Sequence, residues 1–230
     1  MTDNPDKDYP KAATGKPVAL EARREVQDGR RYSPSTARNR QPILDVFRHN
    51  VGEGGRILEI ASGTGEHGAF LTDHLPGLHW TYSDIDVPSL ASQSAWRKIA
   101  SHDRLNGPYT IDASHPNWGE AETHAPWDGL VSINMIHIAP FAAAEGVLSG
   151  AGRLLKPGGK LFLYGPYARN GDIAPSNAAF SKDLQARDPS WGVRDLDTQI
   201  MPLAEQSGLV LQSVTEMPAN NLSVVFVRKG

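Results

Sequence analysis

RILEIASGTGEHG, residues 56–68, is the stretch that decides how this 230-residue chain folds. Ile57, Leu58 and Ile60 read as a buried strand with an acid, Glu59, near its end. A glycine turn (Gly63, Gly65) follows, and Glu66 opens a helix. In a doubly wound α/β sheet, a nucleotide-like cofactor lies across the carboxyl ends of the strands at such a crossing. Gly63 and Gly65 permit the tight turn and a close approach to the backbone, because they carry no Cβ. The unpaired N–H groups at the helix start supply hydrogen-bond donors.

The same letters satisfy the dinucleotide pattern G-x-G-x-x-G (Gly63, Gly65, Gly68), so two cofactors compete. Glu59 helps to decide between them. A carboxylate beside the turn repels the pyrophosphate of NAD or FAD where little water screens it. It attracts S-adenosyl-L-methionine, which carries an ammonium and a sulfonium. The turn, with Ala61 and Thr64, therefore reads as a site for S-adenosyl-L-methionine. An NAD-dependent oxidoreductase is the rival, and it lacks a Tyr-x-x-x-Lys pair for hydride transfer.

The length suits one domain with a sizeable core. Hydrophobic content of 39% and charged content of 21% describe a globular protein. A formal charge of −3 gives no global pull toward nucleic acid or an anionic membrane. Arginines crowd residues 23–40, but Glu21, Glu25 and Asp28 interrupt them, which reads as a solvated, mixed-charge segment. The absence of cysteine excludes disulfides, thiolate metal sites and cysteine nucleophiles, and agrees with a reducing compartment. The polar start offers no apolar signal core, and the apolar window 129–148 is broken by Asn134, His137, Pro140 and Glu145. The expected location is the cytoplasm.

Residues 1–31 read as a flexible N-terminal arm and residues 32–230 as one domain, with an insertion at about 168–194. Apolar spacing predicts a helix over 41–51, a strand over 56–61 and a helix over 66–75. An alternating strand over 78–85 follows, then a helix opened by Pro88 and reaching about 103. Short strands over 109–112 and 129–135 come next, with a helix over 141–155 and a strand over 160–167. The insertion holds one helix, 177–187. A last helix near 198–207 leads to strands over 209–217 and 222–228, joined by a hairpin loop, Pro218–Asn221. This order predicts a doubly wound, mostly parallel α/β sheet with an antiparallel C-terminal edge. It resembles the class I S-adenosylmethionine-dependent methyltransferases, and the resemblance implies a seven-stranded Rossmann-like sheet ending in an antiparallel hairpin.

Asp84 ends the second strand nineteen residues after Gly65, where an acid can bridge two ribose hydroxyls. Its flank YSDIDVP resembles the methyltransferase pattern in which an apolar residue, here Ile85, lies against adenine. Asp86 is the second choice for the ribose, and capping of the helix after Pro88 is the other duty open to both acids. Asp112 is placed to accept from the adenine amino group, with the Ala113 backbone beside it, or else to serve a surface turn. Asn134, Met135 and Ile136 end the fourth strand, under the methionine part of the cofactor. Asn134 alternatively satisfies loop backbone.

The chain also resembles a narrower group, the methyltransferase-like 26 type. The likeness runs from Tyr32 to Lys229 and rests on ARNRQPIL, LEIASGTGEHG, SDIDV, INMIHIAP, YGPYARNG, PSWGVRD and MPANN. It implies the class I fold and S-adenosylmethionine binding, and brings no methyl acceptor with it.

On the acceptor side, His137 and Tyr32 are the catalytic candidates. His137 either serves as a base, since histidine titrates near neutral pH, or bonds the loop before Pro140. Tyr32 and the run Arg38-Asn39-Arg40 precede the core and suit a lid. An arginine pair there matches a carboxylate or phosphate on the acceptor, or else sits solvated at a helix start. His67 faces either the cofactor or solvent. Tyr164, Tyr167 and Asn170 are placed to line the acceptor, with Trp191 and Arg194 closing it. Glu66 and His74 read as helix-surface residues. No metal is expected, because the eight histidines show no H-x-x-x-H spacing. Without an N-P-P-Y tetrad, a cysteine or a basic charge, a small-molecule acceptor is favoured over nucleic acid or protein. A binding protein that holds the cofactor without turnover is the remaining alternative.

Overall fold

The computed structural model describes residues 23–230, and the first part of the expected arm, residues 1–22, lies outside them. The described chain begins with a small hairpin, β1 (Arg24–Glu25) and β2 (Arg31–Tyr32), followed by α1 (Pro34–Asn50). The doubly wound part comprises β3 (Gly54–Glu59), α2 (Glu66–His74), β4 (Gly77–Asp84), α3 (Val87–Ile99), β5 (Leu105–Thr110), α4 (Glu120–Thr123), β6 (Trp127–Ile133), α5 (Phe141–Leu154) and β7 (Leu155–Ala168). Then come α6 (Pro175–Arg187), β8 (Arg194–Asp195), a wide helical turn Leu196–Ile200 that runs into α7 (Met201–Gln206), and the strands β9 (Leu209–Met217) and β10 (Asn221–Arg228).

The main sheet has the order β5-β4-β3-β6-β7-β10-β9. Its first five strands are parallel, and β10 runs antiparallel between β7 and β9. This is the predicted sheet with its C-terminal hairpin. β8 adds a short parallel pairing to the far end of β7. Ile43, Leu44 and Phe47 of α1 pack with Ile57, Trp80 and Phe162 on one face. Ala144, Val147, Leu148 and Ala151 of α5 pack with Leu58, Leu130 and Leu161 on the other. β6 is buried along nearly its whole length, as suits a central parallel strand.

Several elements differ from expectation for identifiable reasons. α1 begins at Pro34, because proline suits a first helical position and Pro42 is tolerated inside this helix. The polar run TARNRQ hides those first turns from a periodicity argument. The third strand of the parallel set is β5, residues 105–110 and not 109–112; Gly107-Pro108 reads as a turn, yet an edge strand accommodates a proline. α3 stops at Ile99, short of residue 103. β7 starts directly from α5 at Leu155, and residues 156–159 arch out between the Trp127–Leu155 and Gly129–Lys160 pairings. Of the expected arm, residues 24–32 form a hairpin docked on α3: Arg31 N–H donates to Ser92 Oγ (2.9 Å) and the Tyr32 ring lies 5.3 Å from that of Trp96. Among the described residues, no helix is long and apolar enough to cross a membrane.

α5 is seated against the loop after β5 by a missing side chain. A Cβ on Gly146 would lie 1.7 Å from the Ala113 carbonyl oxygen, which is backbone and cannot rotate away. Gly146→Ala should therefore lower the unfolding free energy by about 1–3 kcal/mol, the range for overpacking. A urea titration with an unchanged midpoint would show instead that α5 shifts freely.

Candidate functional site

The sheet changes direction between β3 and β6, since the chain leaves β3 toward β4 and β5 but leaves β6 toward β7. A crevice opens outside the carboxyl ends of the strands at such a switch point. Both bordering strands end in a left-handed residue that is not glycine: Ala61 (φ 59°) and Asn134 (φ 58°). Alanine pays roughly 1–2 kcal/mol for that conformation, which asparagine tolerates better. The bends are held from behind. Ile60 N–H donates to Val131 O (2.8 Å), Ser62 N–H to Ser83 O (2.8 Å) and Asn134 N–H to Tyr164 O (2.8 Å).

The turn after Ala61 has its carbonyls taken by neighbours. Gln93 Nε2 donates to Gly63 O (3.0 Å), Ser92 Oγ to Thr64 O (2.7 Å) and Tyr82 Oη to Gly65 O (2.8 Å). Ser89, Ser92 and Gln93 are buried on the face of α3 that meets this turn. Polar residues at i, i+3 and i+4 on a buried helix face are a signal present in the sequence, and the reading passed over them. The bare side of Gly65 faces α3: a Cβ there would lie 3.1 Å from Trp96 and 3.3 Å from Gln93. That of Gly68 faces the Trp80 and Tyr82 rings at 2.5 Å. Gly65 and Gly68 thus serve packing against helix and strand more than approach by a ligand.

Four acids were expected here, and the structure separates their duties. Glu59 is 1% exposed, its Oε2 accepts from Trp80 Nε1 (2.9 Å), and its carboxyl also bonds the Ser62 side chain. Burial pushes its carboxyl up to about 7. It is therefore not a full fixed negative charge, and it repels a pyrophosphate less than an exposed carboxylate would. Asp84 is the acid that meets the turn. Its Oδ2 accepts from Gly63 N–H (2.8 Å), and its Oδ1 from the N–H groups of Ile85 (2.9 Å) and Asp86 (3.0 Å). Burial outweighs these bonds and raises its carboxyl to about 6. Asp86 caps α3, its Oδ2 accepting from Ser89 N–H (3.0 Å) and Oγ (2.6 Å), while its buried Oδ1 has no partner. Beside these acids Ile85 and Val87 are 53% and 69% exposed, an apolar lip on the crevice. Asp112 is exposed and its Oδ1 accepts from Ser114 N–H (2.9 Å) and Oγ (2.6 Å), the turn duty, with Ala113 buried next to it.

The acceptor-side candidates fall into two groups. Asn39, His67 and Tyr164 come together: His67 Nε2 and Asn39 Oδ1 are 2.9 Å apart, and the Tyr164 hydroxyl bonds with Asn39 and Asn221. His67 is buried, and burial lowers its imidazole to about 4. Arg38 is exposed with its charge near the Tyr164 hydroxyl, and the Arg40 guanidinium lies 4.9 Å from the Phe70 ring centroid. His137 is buried after β6, 5.6 Å edge-on to Phe180. Its Nδ1 lies 3.2 Å from the position of a Cβ on Gly165. Burial, aided by Arg194, lowers it to about 3, so it is neutral at physiological pH.

The remaining candidates lie elsewhere. Tyr32 packs on Trp96 between the Arg24 and Arg30 guanidiniums, in the hairpin. Tyr167 and Trp191 are buried, the former within the core around α5. Arg194 donates to the carbonyls of Ile136, Ala139 and Ser190, tying the insertion to the loop after β6. Asn170 occupies a left-handed turn (φ 51°). One residue read as surface belongs to the site. Glu66 is buried, and its Oε2 accepts from Ser33 N–H (2.5 Å) and Thr64 Oγ1 (3.2 Å), joining the start of α1 to the glycine turn. Among the described residues no three His, Asp or Glu side chains come together as metal ligands.

The topology is that of the S-adenosylmethionine-dependent methyltransferases, and comparison with solved structures bears out the fold. An O-methyltransferase family protein from Burkholderia thailandensis aligns at a TM-score of 0.68 and 19% identity, over 85% of this chain and 58% of that one. Human N-acetylserotonin methyltransferase, solved with SAM, aligns at 0.67 and 14%, over 85% and 53%. An O-methyltransferase family 2 protein from Planctomyces limnophilus, solved with apigenin, aligns at 0.68 and 15%, over 84% and 58%. This chain thus spans little more than half the length of each. Residues 30–228 match the profile of the family described as "Protein of unknown function (DUF938)", and the chain belongs to that family.

The buried Glu59 makes stability depend on pH. Its folded value, about 7, lies above the ordinary 4.5, so its contribution is fully present below pH 4.5 and is lost as pH rises toward 7. His67 and His137, lowered to about 4 and 3, act in the opposite sense, losing stability as pH falls below 6.5. Glu59→Gln keeps an acceptor for Trp80 and removes the first effect alone. Relative to the variant, wild type should be more stable at pH 5 than at pH 8 in urea unfolding. The same difference at both pH values would mean that Glu59 titrates normally.

Proposed function

We propose that this chain is an S-adenosyl-L-methionine-dependent methyltransferase of the methyltransferase-like 26 type, acting on a small molecule in the cytoplasm. The observation that carries the reading is the convergence of Asp84 and the glycine turn, 2.8 Å apart, beside the two left-handed strand tips at the switch point. The cofactor fits the groups present. The unpartnered Asp86 Oδ1 and the Asp84 carboxylate suit ribose hydroxyls, and exposed Ile85 and Val87 suit an adenine face. Asp112 and the Ala113 backbone would take the adenine amino group. Ala61, Gly63, Thr64 and Asn134 would border the methionine part. When bound, the cofactor supplies a methyl group already activated on a sulfonium.

What the protein must add is alignment of the acceptor, which is worth roughly 7–11 kcal/mol when geometry is held. The Asn39–His67–Tyr164 chain presents fixed donors and acceptors for that purpose. His137 meets the other side as a neutral imidazole that orients more than it takes a proton. A second reading, a cofactor-binding protein without turnover, is favoured by the low basicity of both buried histidines. Only the literal G-x-G-x-x-G of Gly63, Gly65 and Gly68 favours NAD. The absence of cysteine supports a reducing, cytoplasmic setting.

Calorimetric titration with S-adenosylhomocysteine should show one saturable site. Asp84→Asn should weaken it by about 1.5–3 kcal/mol, the range for charged hydrogen bonds. Saturable NADH binding without S-adenosylhomocysteine binding would overturn the assignment. Labelled methyl transfer into fractionated metabolites separates enzyme from binder: transfer requires turnover, and His137→Phe should reduce it at least tenfold while S-adenosylhomocysteine still binds.

A further inference from the structure

A second cleft, of about 320 Å³, opens on the sheet away from the crevice. It lies over β3, β4, β5 and β6, and Arg56 on its floor is five residues before Ala61. At about 3.3 Å per strand residue, the Arg56 end lies about 16 Å from Ala61, while the Tyr109 end sits beside Ser83, one residue before Asp84. The cleft exists because the crossover from β5 to β6 carries only the four-residue α4, which leaves this part of the face without a covering helix. β4 is polar on this face. Leu78, Trp80 and Tyr82 are buried apolar residues on the other side, while this side carries exposed His79 and the buried hydroxyls of Thr81 and Ser83. Parallel strands covered on both faces read instead as continuous apolar runs.

The lining is chemically one-sided. It offers the Arg56 guanidinium, the imidazoles of His79 and His124, the Tyr109 hydroxyl and the polar groups of Thr81 and Asn106, with no carboxylate. Arg56 is held in place, its Nη2 donating to His124 O (2.6 Å) and its guanidinium 4.9 Å from the Trp127 ring centroid. One N–H is used and the rest of the fork is left for a ligand. Of the nearby acids, Asp128 is engaged by Lys156 and by Arg56 N–H (2.7 Å), and Glu120 adds to burial in raising the Tyr109 hydroxyl. His79 is exposed and makes no hydrogen bond among the described residues. The Tyr109 and His124 rings stack at 5.8 Å and 29°, forming an aromatic wall beside the cation.

We propose that this cleft binds a small aromatic anion: a planar ring against Tyr109 and His124, with its phosphate or carboxylate on Arg56 and His79. A guanidinium fork pairs such groups bidentately. Nothing in this proposal depends on the reaction in the crevice.

The test is an NMR titration of the full chain, following histidine ring protons, with phenyl phosphate, benzoate and inorganic phosphate as probes. The His79 and His124 signals should shift saturably with one of the two aromatic anions, and the better of the two tells a phosphate ligand from a carboxylate. Inorganic phosphate should bind roughly tenfold more weakly, since it lacks the ring. Arg56→Gln and His79→Ala, the latter at an exposed side chain, should each raise the Kd roughly tenfold or more. Saturating S-adenosylhomocysteine should leave the titration unchanged. Four results would each overturn the proposal: no saturable shift up to about 10 mM of either aromatic anion, equal binding of inorganic phosphate, wild-type binding by both variants, or displacement by S-adenosylhomocysteine.

Discussion

An acid at the tip of one strand takes the N–H of the turn that leaves its neighbour. That bond, Gly63 N–H to Asp84 Oδ2, joins two adjacent parallel strands where their chains part company with the sheet. Without it the turn 61–65 would be anchored by Ser62, which bonds Ser83, and by its carbonyls, which α3 and Tyr82 hold. With it, donors and acceptors on both sides of the crevice are tied to β3 and β4. The left-handed bend at Ala61 persists because these surroundings over-determine it.

The crevice is accordingly surrounded by polar groups taken out of water. Glu59, Glu66, Asp84 and Asp86 are all buried, and burial is the main reason that Glu59, Glu66 and Asp84 hold protons more tightly than free carboxylic acids. Asp84, raised only to about 6, still carries charge at neutral pH and favours ligands bearing hydroxyls or positive charge over those bearing phosphates, since little solvent screens it. This is a firmer ground for the cofactor preference than the charge of Glu59 alone. The opposite chemistry prevails in the second cleft, where an arginine and two histidines form a lining without a carboxylate. The two openings thus differ in the charge of the side chains that border them.

How much of this was legible varies with the physics involved. β3, α2, α5 and the C-terminal hairpin were plain, because apolar periodicity and turn chemistry act locally and agree with each other. β5 was misplaced because tolerance of Gly107-Pro108 depends on the strand lying at an edge, which is a property of the sheet. Glu66 was read as surface because its burial comes from Ser33 and the hairpin folding back over it, more than thirty residues away. Tyr32 and Tyr167 were assigned to the acceptor by nearness in sequence to good motifs. One faces α3 and the other the core, since alternate strand residues point to opposite faces. Asn39, His67 and Tyr164, drawn from three separate segments, do meet.

The amino-acid order by itself determined the α/β class, the crossing at residues 56–68, the antiparallel ending and the presence of an acid at the tip of β4. These follow from patterns spanning fewer than twenty residues, where backbone sterics and side-chain periodicity suffice. Tertiary structure alone decided which acid meets the turn, which is spent on a tryptophan and which caps a helix. It also decided that the helix after β5 is too short to cover the sheet it crosses. Those outcomes depend on burial and on partners distant along the chain, and a carboxyl group's charge has no value until its surroundings exist.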